Sequence, residues 1–203
     1  MSRYGNLVLA ANRRFNLTGA KSAGDLAEHL IDSLTVIPYL REPYVDVGSG
    51  AGFPAIPVAL ATGMAVTLVE ATTKKARFLE SLLEELGIAG QVIVERAETA
   101  AHRPDLRERY AAGTARALGP APTVAELVLP FLETGGVAVL QRGTLAPDET
   151  VALEDASLML GGRLETQVPL EGNRRIVLLR KSAPTPHRFP RRIGIPAKRP
   201  LCT

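Results

Sequence analysis

The chain has 203 residues, of which 46% are hydrophobic and 22% are charged, and its net charge is +3. This balance predicts one globular domain with a hydrophobic core and excludes a chain that is disordered throughout. Since no stretch approaches 18 apolar residues in a row, no signal-cleavage pattern is evident and there is one cysteine, we expect a cytoplasmic protein without a membrane span or disulfides.

The predicted elements alternate between strands and helices through most of the chain. Residues 1–40 are predicted to be mostly helical and to form a cap outside the sheet, followed by a main domain at 41–181. The predicted strands span residues 43–47, 65–70, 91–95 and 136–140, and the predicted helices span 53–62, 74–86, 122–132 and 149–160. Strand and helix alternating in steps of about 30 residues favours a parallel sheet with right-handed crossovers.

Two regions depart from this alternation. Residues 164–168 and 175–179 are predicted to form an antiparallel strand pair that closes the sheet. Residues 100–115, in which charges alternate around a proline, are predicted to form a loop or a frayed helix.

The chain ends in a basic, proline-rich tail at 182–203. Residues 180–203 carry seven Lys and Arg residues, no Asp or Glu and five of the 15 prolines, so residues 1–179 have a net charge of −4. Prolines hold such a segment out of helices and keep its charges spread, which suits contacts with nucleic-acid phosphates. A solvated terminus that only aids solubility is the alternative.

The sharpest local signal is the run DVGSGAGFP from Asp46 to Pro54, at a predicted strand-to-helix turn. Glycines there let the backbone approach a ligand closely. The next predicted strand ends in Glu70, about where a doubly wound fold places a carboxylate on ribose hydroxyls. Phe53 stands where a dinucleotide-binding loop needs Gly or Ala, so S-adenosylmethionine, which has a ribose and no pyrophosphate, fits better than a nicotinamide cofactor. The alternative is a tight turn followed by a solvated Glu70.

Several runs together resemble the RsmG (GidB) family. They are DVGSGAGFPAIPVAL from residue 46, LVEATTKKARFL from 68, RAE at 96–98, ARA at 115–117, NLT at 16–18, HLIDSL at 29–34 and FPRRIGIPAKRPL at 189–201. The resemblance implies a bacterial methyltransferase that modifies N7 of a guanine in 16S ribosomal RNA. It also implies the Rossmann-like class I S-adenosylmethionine-dependent methyltransferase fold, with a mostly parallel sheet and helices on both faces.

The resemblance also implies the positions of the site residues. Those expected to hold S-adenosylmethionine are Gly48 and Phe53 at the methionine and adenosine part, Glu70 at the ribose, Ala71 and Thr72 beside the adenosine, and Ala97 and Glu98 at the adenine. Arg116 is expected between the cofactor and the target base. Contacts with RNA are expected from Asn16, His29, Asp32, Arg142, Arg191, Arg192, Lys198 and Arg199.

The implied reaction needs few catalytic groups. Guanine N7 carries a lone pair and no proton, so it attacks the methyl group without a general base, and alignment is the protein's main contribution. We therefore expect no catalytic acid or base; Arg116 would act as a clamp on guanine O6 or on a phosphate. We also expect no metal site, no membrane contact, a monomer, and 16S ribosomal RNA or a small-subunit particle as the partner.

Structural roles remain alternatives for individual residues, and other functions remain alternatives for the protein. His29 and Asp32 are spaced for a simple contact on one helix face, and Asn16 suits a helix boundary. An RNA-binding ribosome-assembly protein with the same fold and little or no turnover is the second functional hypothesis, because Ala111 stands where the family carries a polar residue. A methyltransferase for another RNA or a small molecule is the third.

Overall fold

The computed structural model describes residues 1–20 and 22–202, so Lys21 of the predicted cap and Thr203 of the predicted tail lie outside the described residues. The strands are β1 Tyr44–Val47, β2 Val66–Val69, β3 Gly90–Ile93, β4 Tyr110–Arg116, β5 Leu132–Gly143, β6 Gly162–Leu170 and β7 Arg174–Lys181. Within the described residues they form one seven-stranded sheet in the order β3-β2-β1-β4-β5-β7-β6.

Helices follow most of these strands. They are α1 Ser2–Asn12, α2 Ala23–Leu34, α3 Ala55–Thr62, α4 Thr73–Leu86, α5 Ala97–Ala100, α6 Ala121–Val128, α7 Pro147–Met159 and α8 Ile195–Lys198, with 3-10 turns at Ile37–Tyr39 and Leu129–Phe131. No helix in the described part of the chain combines the length and the apolar character that crossing a bilayer requires.

The sheet is mostly parallel, as the sequence predicts. Strands β1 to β5 pair in parallel, and β7 runs antiparallel to both β5 and β6. Tyr44 of β1 belongs to one hydrophobic cluster, while Val45 and Val47 belong to another. Since alternate residues of a strand point to opposite faces, both faces of the sheet are covered.

One predicted region is wrong. Residues 110–115, the end of the stretch predicted to be a loop or a frayed helix, belong to β4, which lies between β1 and β5. The small residues are what this central position needs, because a Cβ on Gly113 would come within 2.9 Å of a methyl of Val128 and 3.1 Å of one of Leu132. Packing in the middle of the sheet overrides the weak strand propensity of Ala and Gly here.

The N-terminal helices pack against the loop that follows β1. Tyr4 of α1 is fully buried and donates its hydroxyl hydrogen to the Ala51 carbonyl at 3.0 Å. Its ring meets that of Phe53 edge to face, with centroids 5.5 Å apart. Helix α2 begins with a capping box in which Ser22 and Asp25 exchange hydrogen bonds with each other's backbone. The helical region therefore supports the glycine-rich loop directly.

The proline-rich tail does not stay extended. Its residues Ile195–Lys198 form one turn of helix, so the prediction that prolines hold the tail out of helices is wrong there. Pro196 lies in the first turn, where its missing N–H would have no helical partner in any case. Phe189 and Leu201 are buried in the core, so the tail packs onto the sheet domain.

Candidate active site

The glycine-rich loop between β1 and α3 adopts conformations that favour glycine. The φ angles of Gly48 and Gly50 are +74° and +54°. A Cβ on Gly48 would lie 2.1 Å from Cδ1 of Leu118, whereas a Cβ on Gly50 would meet nothing nearer than 3.8 Å. The loop thus presents bare backbone at the carboxyl edge of the sheet, where a ligand can approach it closely.

Glu70, at the end of β2, holds this loop in place. Its Oε2 accepts the N–H of Gly50 at 3.0 Å, and its Oε1 accepts the N–H of Thr72 at 2.7 Å. The residue is only 7% exposed. Each carboxylate oxygen has two lone pairs, so each retains the capacity to accept a hydrogen bond from a ligand hydroxyl.

An open cleft of about 330 Å³, which we name the Glu70 cleft, lies at the carboxyl ends of β1, β2 and β4. Its lining brings together seven of the eight residues that the sequence predicts for the cofactor. They are Gly48, Glu70, Ala71, Thr72, Ala97, Glu98 and Arg116.

Phe53 is the eighth, and it does not line the Glu70 cleft. Its ring is buried between Tyr4 and His29 in edge-to-face contacts. The guanidinium carbon of Arg116 lies 5.6 Å from the ring centroid. Phe53 therefore supports Arg116, and its predicted contact with the cofactor stays a prediction.

Glu98 closes one end of the cleft. It is 6% exposed, and its Oε1 accepts a hydrogen bond from the N–H of Gly194 at 2.9 Å. Nη2 of Arg96 donates to the same oxygen over a longer distance of 3.5 Å. Ala197, from the tail, also lines the cleft. Part of the accepting capacity of the carboxylate is thus satisfied by the chain itself.

Arg116, at the end of β4, is held by α2. Its Nη2 donates to Nδ1 of His29 at 2.8 Å. Because a guanidinium only donates, Nδ1 is the acceptor and the proton of the neutral imidazole is on Nε2. Burial and the charge of Arg116 lower the pKa of His29, which favours this neutral form. Asp32, one turn further along α2, also lies beside Arg116, with Arg116 Nη1 3.6 Å from Asp32 Oδ2.

A second pocket, of about 370 Å³, adjoins the Glu70 cleft and shares Arg116 and Ala117 with it. We name it the arginine pocket. Four arginines line it, together with Asp32 and Gln141; the arginines are Arg116, Arg142, Arg174 and Arg175.

Fixed partners orient these arginines. Arg174 Nη1 donates to Oδ1 of Asp32 at 3.2 Å, so this one carboxylate faces both Arg116 and Arg174. Arg142 donates to the Gly119 carbonyl at 2.6 Å and pairs with Glu149 at 3.0 Å.

Arg175 donates to two neutral groups, Gln167 Oε1 at 2.7 Å and Thr144 Oγ1 at 3.3 Å. Nη1 of Arg116 and the Nε atoms of Arg142 and Arg175 are buried with no hydrogen-bond partner among the described residues. Positive charge therefore exceeds negative charge in the arginine pocket.

Sequence reasoning missed several lining residues. The Arg174-Arg175 pair is visible as a basic dipeptide at the start of a predicted strand, but nothing local links it to Arg116. Leu118 and Ala197 carry no chemical signal, and they line the Glu70 cleft only because of the fold.

The remaining residues predicted to bind RNA lie apart from the arginine pocket. Asn16, Arg192, Lys198 and Arg199 are exposed. Arg191 instead forms a bidentate ion pair with Glu126, in which Nε lies 2.9 Å from Oε1 and Nη2 lies 2.7 Å from Oε2.

Asp46, the first residue of the glycine motif, is buried behind the loop. Its Oδ1 accepts the hydroxyl of Thr114 at 2.5 Å, and its Oδ2 has no hydrogen-bond partner among the described residues. Burial raises the pKa of this carboxyl to about 7. An ionisable group therefore lies directly beneath the loop that borders the cleft.

The chain matches the family model for rRNA small subunit methyltransferase G (GidB) over residues 1–177. The ribosomal RNA small subunit methyltransferase G of Trichormus variabilis is 40% identical over 212 residues, which cover 96% of this chain and 86% of that protein. The protein of the same name from Chloroflexus aggregans is 41% identical over 213 residues, covering 98% of this chain and 88% of that one.

Solved methyltransferases share the fold. The T. thermophilus 16S rRNA methyltransferase RsmC, solved with AdoMet and guanosine, is similar with a TM-score of 0.51 and 21% identity, over 75% of this chain and 39% of that one. The mitomycin 7-O-methyltransferase MmcR gives a TM-score of 0.61 at 16% identity, over 88% of this chain and 60% of that one.

The sheet order, the glycine loop and the acidic end of β2 define a class I S-adenosylmethionine-dependent methyltransferase fold. The chain belongs to the rRNA small subunit methyltransferase G family, as the sequence resemblance predicts. It is therefore a methyltransferase that uses S-adenosylmethionine, as the resemblance implies.

The Glu70 cleft fits this cofactor. Gly50 lines the cleft and has no side chain, so it leaves room for a ligand there. The carboxylate of Glu70 is fixed by two N–H groups and keeps free lone pairs for a ribose. When bound, S-adenosylmethionine supplies a methyl group on a positively charged sulfur.

Replacing Gly48 with Val should abolish S-adenosylmethionine binding while the fold survives, because the new side chain forces Leu118 aside at the cleft wall. Isothermal titration calorimetry measures the binding, and circular dichroism checks the fold. Gly63→Val is the matched control: Gly63 has a similar φ of +77°, but a Cβ placed on it would have no described atom within 4 Å. Binding by the Gly48 variant as tight as that of the control would contradict the assignment.

Asp46→Asn should remove a pH dependence of stability. The folded protein holds the Asp46 proton more tightly than the unfolded chain, so the free energy of unfolding should fall as the pH rises from about 4 to about 7, by up to about 4 kcal/mol. Urea unfolding at several pH values measures this slope. The variant should flatten it, and Asp155→Asn, an exposed control, should not. Equal slopes in all three proteins would contradict the shift.

Proposed function

We propose that the protein transfers the methyl group of S-adenosylmethionine to N7 of a guanine in 16S ribosomal RNA. The observation that carries this proposal is the position of Arg116, which lines both the Glu70 cleft and the arginine pocket. A methyl donor in the first and a nucleotide in the second would meet at this residue.

The composition of the arginine pocket supports a nucleotide substrate. The guanine edge that carries N7 and O6 offers only acceptors, and Arg is the side chain best suited to that edge. Phosphates are also acceptors that favour Arg. Arg116, Arg142, Arg174 and Arg175 all line the pocket, so guanidinium groups face the space in which either acceptor would lie.

The reaction needs orientation rather than proton transfer. N7 has no proton to lose, so His29, which the contact with Arg116 keeps neutral, is not required as a base. Arg116 would hold O6 of the base or an adjacent phosphate and so align N7 with the methyl group. The packing of Phe53 against its guanidinium and the contact with His29 limit the movement of Arg116.

Within the Glu70 cleft, each residue has a proposed partner on the cofactor. Glu70 accepts from the ribose hydroxyls, and Gly48 lets the methionine part approach the backbone. Ala71 and Thr72 flank the adenosine, while Ala97 and Glu98 lie at the adenine. The two backbone N–H groups that fix Glu70 support its role, because a carboxylate held in one orientation recognises a diol better than a mobile one.

The substrate is either 16S ribosomal RNA or a small-subunit particle, and the protein would act on it in the cytoplasm, where ribosomes are assembled. We propose a monomer as the active unit, in which one chain supplies the lining of both pockets. Beyond the arginine pocket, the exposed cations Arg192, Lys198 and Arg199 and the exposed amide of Asn16 are proposed to contact the RNA.

A methyl-transfer assay tests this function. With isotopically labelled S-adenosylmethionine and unmodified 16S ribosomal RNA or small subunits, we expect label at one guanine and strand cleavage there after borohydride and aniline treatment, which reports N7 methylation. Arg116→Ala should lower kcat at least about 100-fold, since misalignment of the reacting groups is costly. Label on another atom, on another RNA or on no RNA would contradict the proposal, as would an Arg116→Ala enzyme of normal activity.

A further inference from the structure

The tail forms a wall of the Glu70 cleft. We name residues 182–202 the C-terminal segment. Phe189 and Leu201 anchor this segment in the core, with exposures of 3% and 8%. Between these anchors the segment passes the cleft, where Ala197 is one of the lining residues. The cleft is therefore incomplete without a stretch that is distant in sequence from the glycine loop and from Glu70.

A buried ion pair fixes the segment to α6. Glu126 of α6 is fully buried. Its Oε1 accepts two hydrogen bonds from Arg191, one from the backbone N–H at 2.8 Å and one from the side-chain Nε–H at 2.9 Å. Oε2 accepts from Nη2 of the same arginine at 2.7 Å. Nη2 also donates to the carbonyl of Arg199 at 2.8 Å, which closes the segment on itself. Burying a carboxylate is costly unless it is paired and hydrogen-bonded in this way.

The ion pair lies close in sequence to the contacts that shape the cleft. Three residues after Arg191, Gly194 donates its N–H to Oε1 of Glu98 at 2.9 Å. Thr123, like Glu126 a residue of α6, donates its hydroxyl to the carbonyl of Pro196 at 2.8 Å, next to Ala197. One helix thus holds the segment at two points, and between them the segment contacts the residue proposed to lie at the adenine.

We propose that Arg191 is a positioning residue for S-adenosylmethionine rather than a ligand of RNA. Paired with Glu126, it holds Gly194 and Ala197 against the Glu98 end of the cleft, so that the C-terminal segment completes the adenine side of the site. This inference rests on the proposed function, in which the cofactor occupies the Glu70 cleft with its adenine at Glu98.

The neighbouring residues Arg191 and Arg192 are expected to have different roles. The guanidinium of Arg191 is committed to Glu126 and to the Arg199 carbonyl, whereas Arg192 is exposed. Nε and Nη2 of Arg191 are occupied by these partners, so Arg191 has fewer N–H groups left for a phosphate than Arg192 has. Two adjacent cations of one basic run should therefore affect different ligands.

The test compares Arg191→Met with its matched neighbour Arg192→Met. Calorimetry gives the Kd for S-adenosylmethionine, filter binding gives the RNA affinity without cofactor, and steady-state kinetics give KM for each substrate. We expect Arg191→Met to raise the Kd and KM for S-adenosylmethionine about tenfold, with RNA affinity and kcat within about twofold of the wild type. Arg192→Met should leave the cofactor Kd unchanged.

Two further variants keep the test decisive. Arg191→Lys retains the charge without the planar fork, and we expect a smaller rise in the cofactor KM; this variant carries the test if Arg191→Met does not fold. In the double variant Glu126→Gln with Arg191→Met, the amide oxygen still accepts the residue-191 backbone N–H and no charge is left buried alone. Its cofactor Kd should return toward the wild-type value.

Three results bear on the proposal in distinct ways. Weaker RNA binding by Arg191→Met with an unchanged cofactor Kd would overturn it and restore Arg191 as an RNA ligand. A lower melting temperature with both affinities unchanged would overturn it in favour of a purely structural role. Failure of the wild-type protein to bind S-adenosylmethionine would instead contradict the proposed function, before any variant is compared.

Discussion

The carboxylate of Glu70 is the contact on which the candidate site depends most. It accepts one N–H from the glycine loop after β1 and one from the loop after β2, so a single side chain holds two loops at the carboxyl edge of the sheet. The parallel register makes this possible, because Val47 and Val69 lie side by side and the two loops begin at the same level. The Glu70 cleft exists where these loops separate, as expected for ligand sites of open α/β sheets.

Arg116 connects that cleft to the place where a substrate would bind. It lies at the end of β4, beside β1, and is oriented by His29 and Asp32 from the N-terminal cap. The cap is fixed in turn by the buried Tyr4, whose hydroxyl reaches the Ala51 carbonyl in the glycine loop. The cap and the sheet domain thus position one guanidinium together, and the arginine pocket extends beyond it.

The sequence is most informative where function is encoded locally. Gly48, Gly50 and Glu70 can be identified because the loop and the strand end lie within one βαβ unit, and the resemblance to a family supplies Ala97, Glu98 and Arg116. Strand β4 cannot be recognised from propensity, since Ala and Gly there are required by contacts with residues such as Val128 and Leu132.

Long-range pairs are also beyond the reach of the sequence. A basic run predicts RNA contact for Arg191 but gives no sign of its ion pair with Glu126, which is 65 residues away. Arg174 and Arg175 join the arginine pocket only because β7 returns antiparallel beside β5. Charge along a sequence indicates what a segment can bind, but which charges remain available depends on the packing of the whole chain.

The Glu70 cleft is proposed to bind a ribose-containing cofactor that has no pyrophosphate. The most direct test is to titrate the protein with S-adenosylmethionine, S-adenosylhomocysteine and NAD side by side in a calorimeter. We expect the first two to bind at a one-to-one ratio and NAD to give no heat of binding. Binding of NAD, or of none of the three, would contradict it.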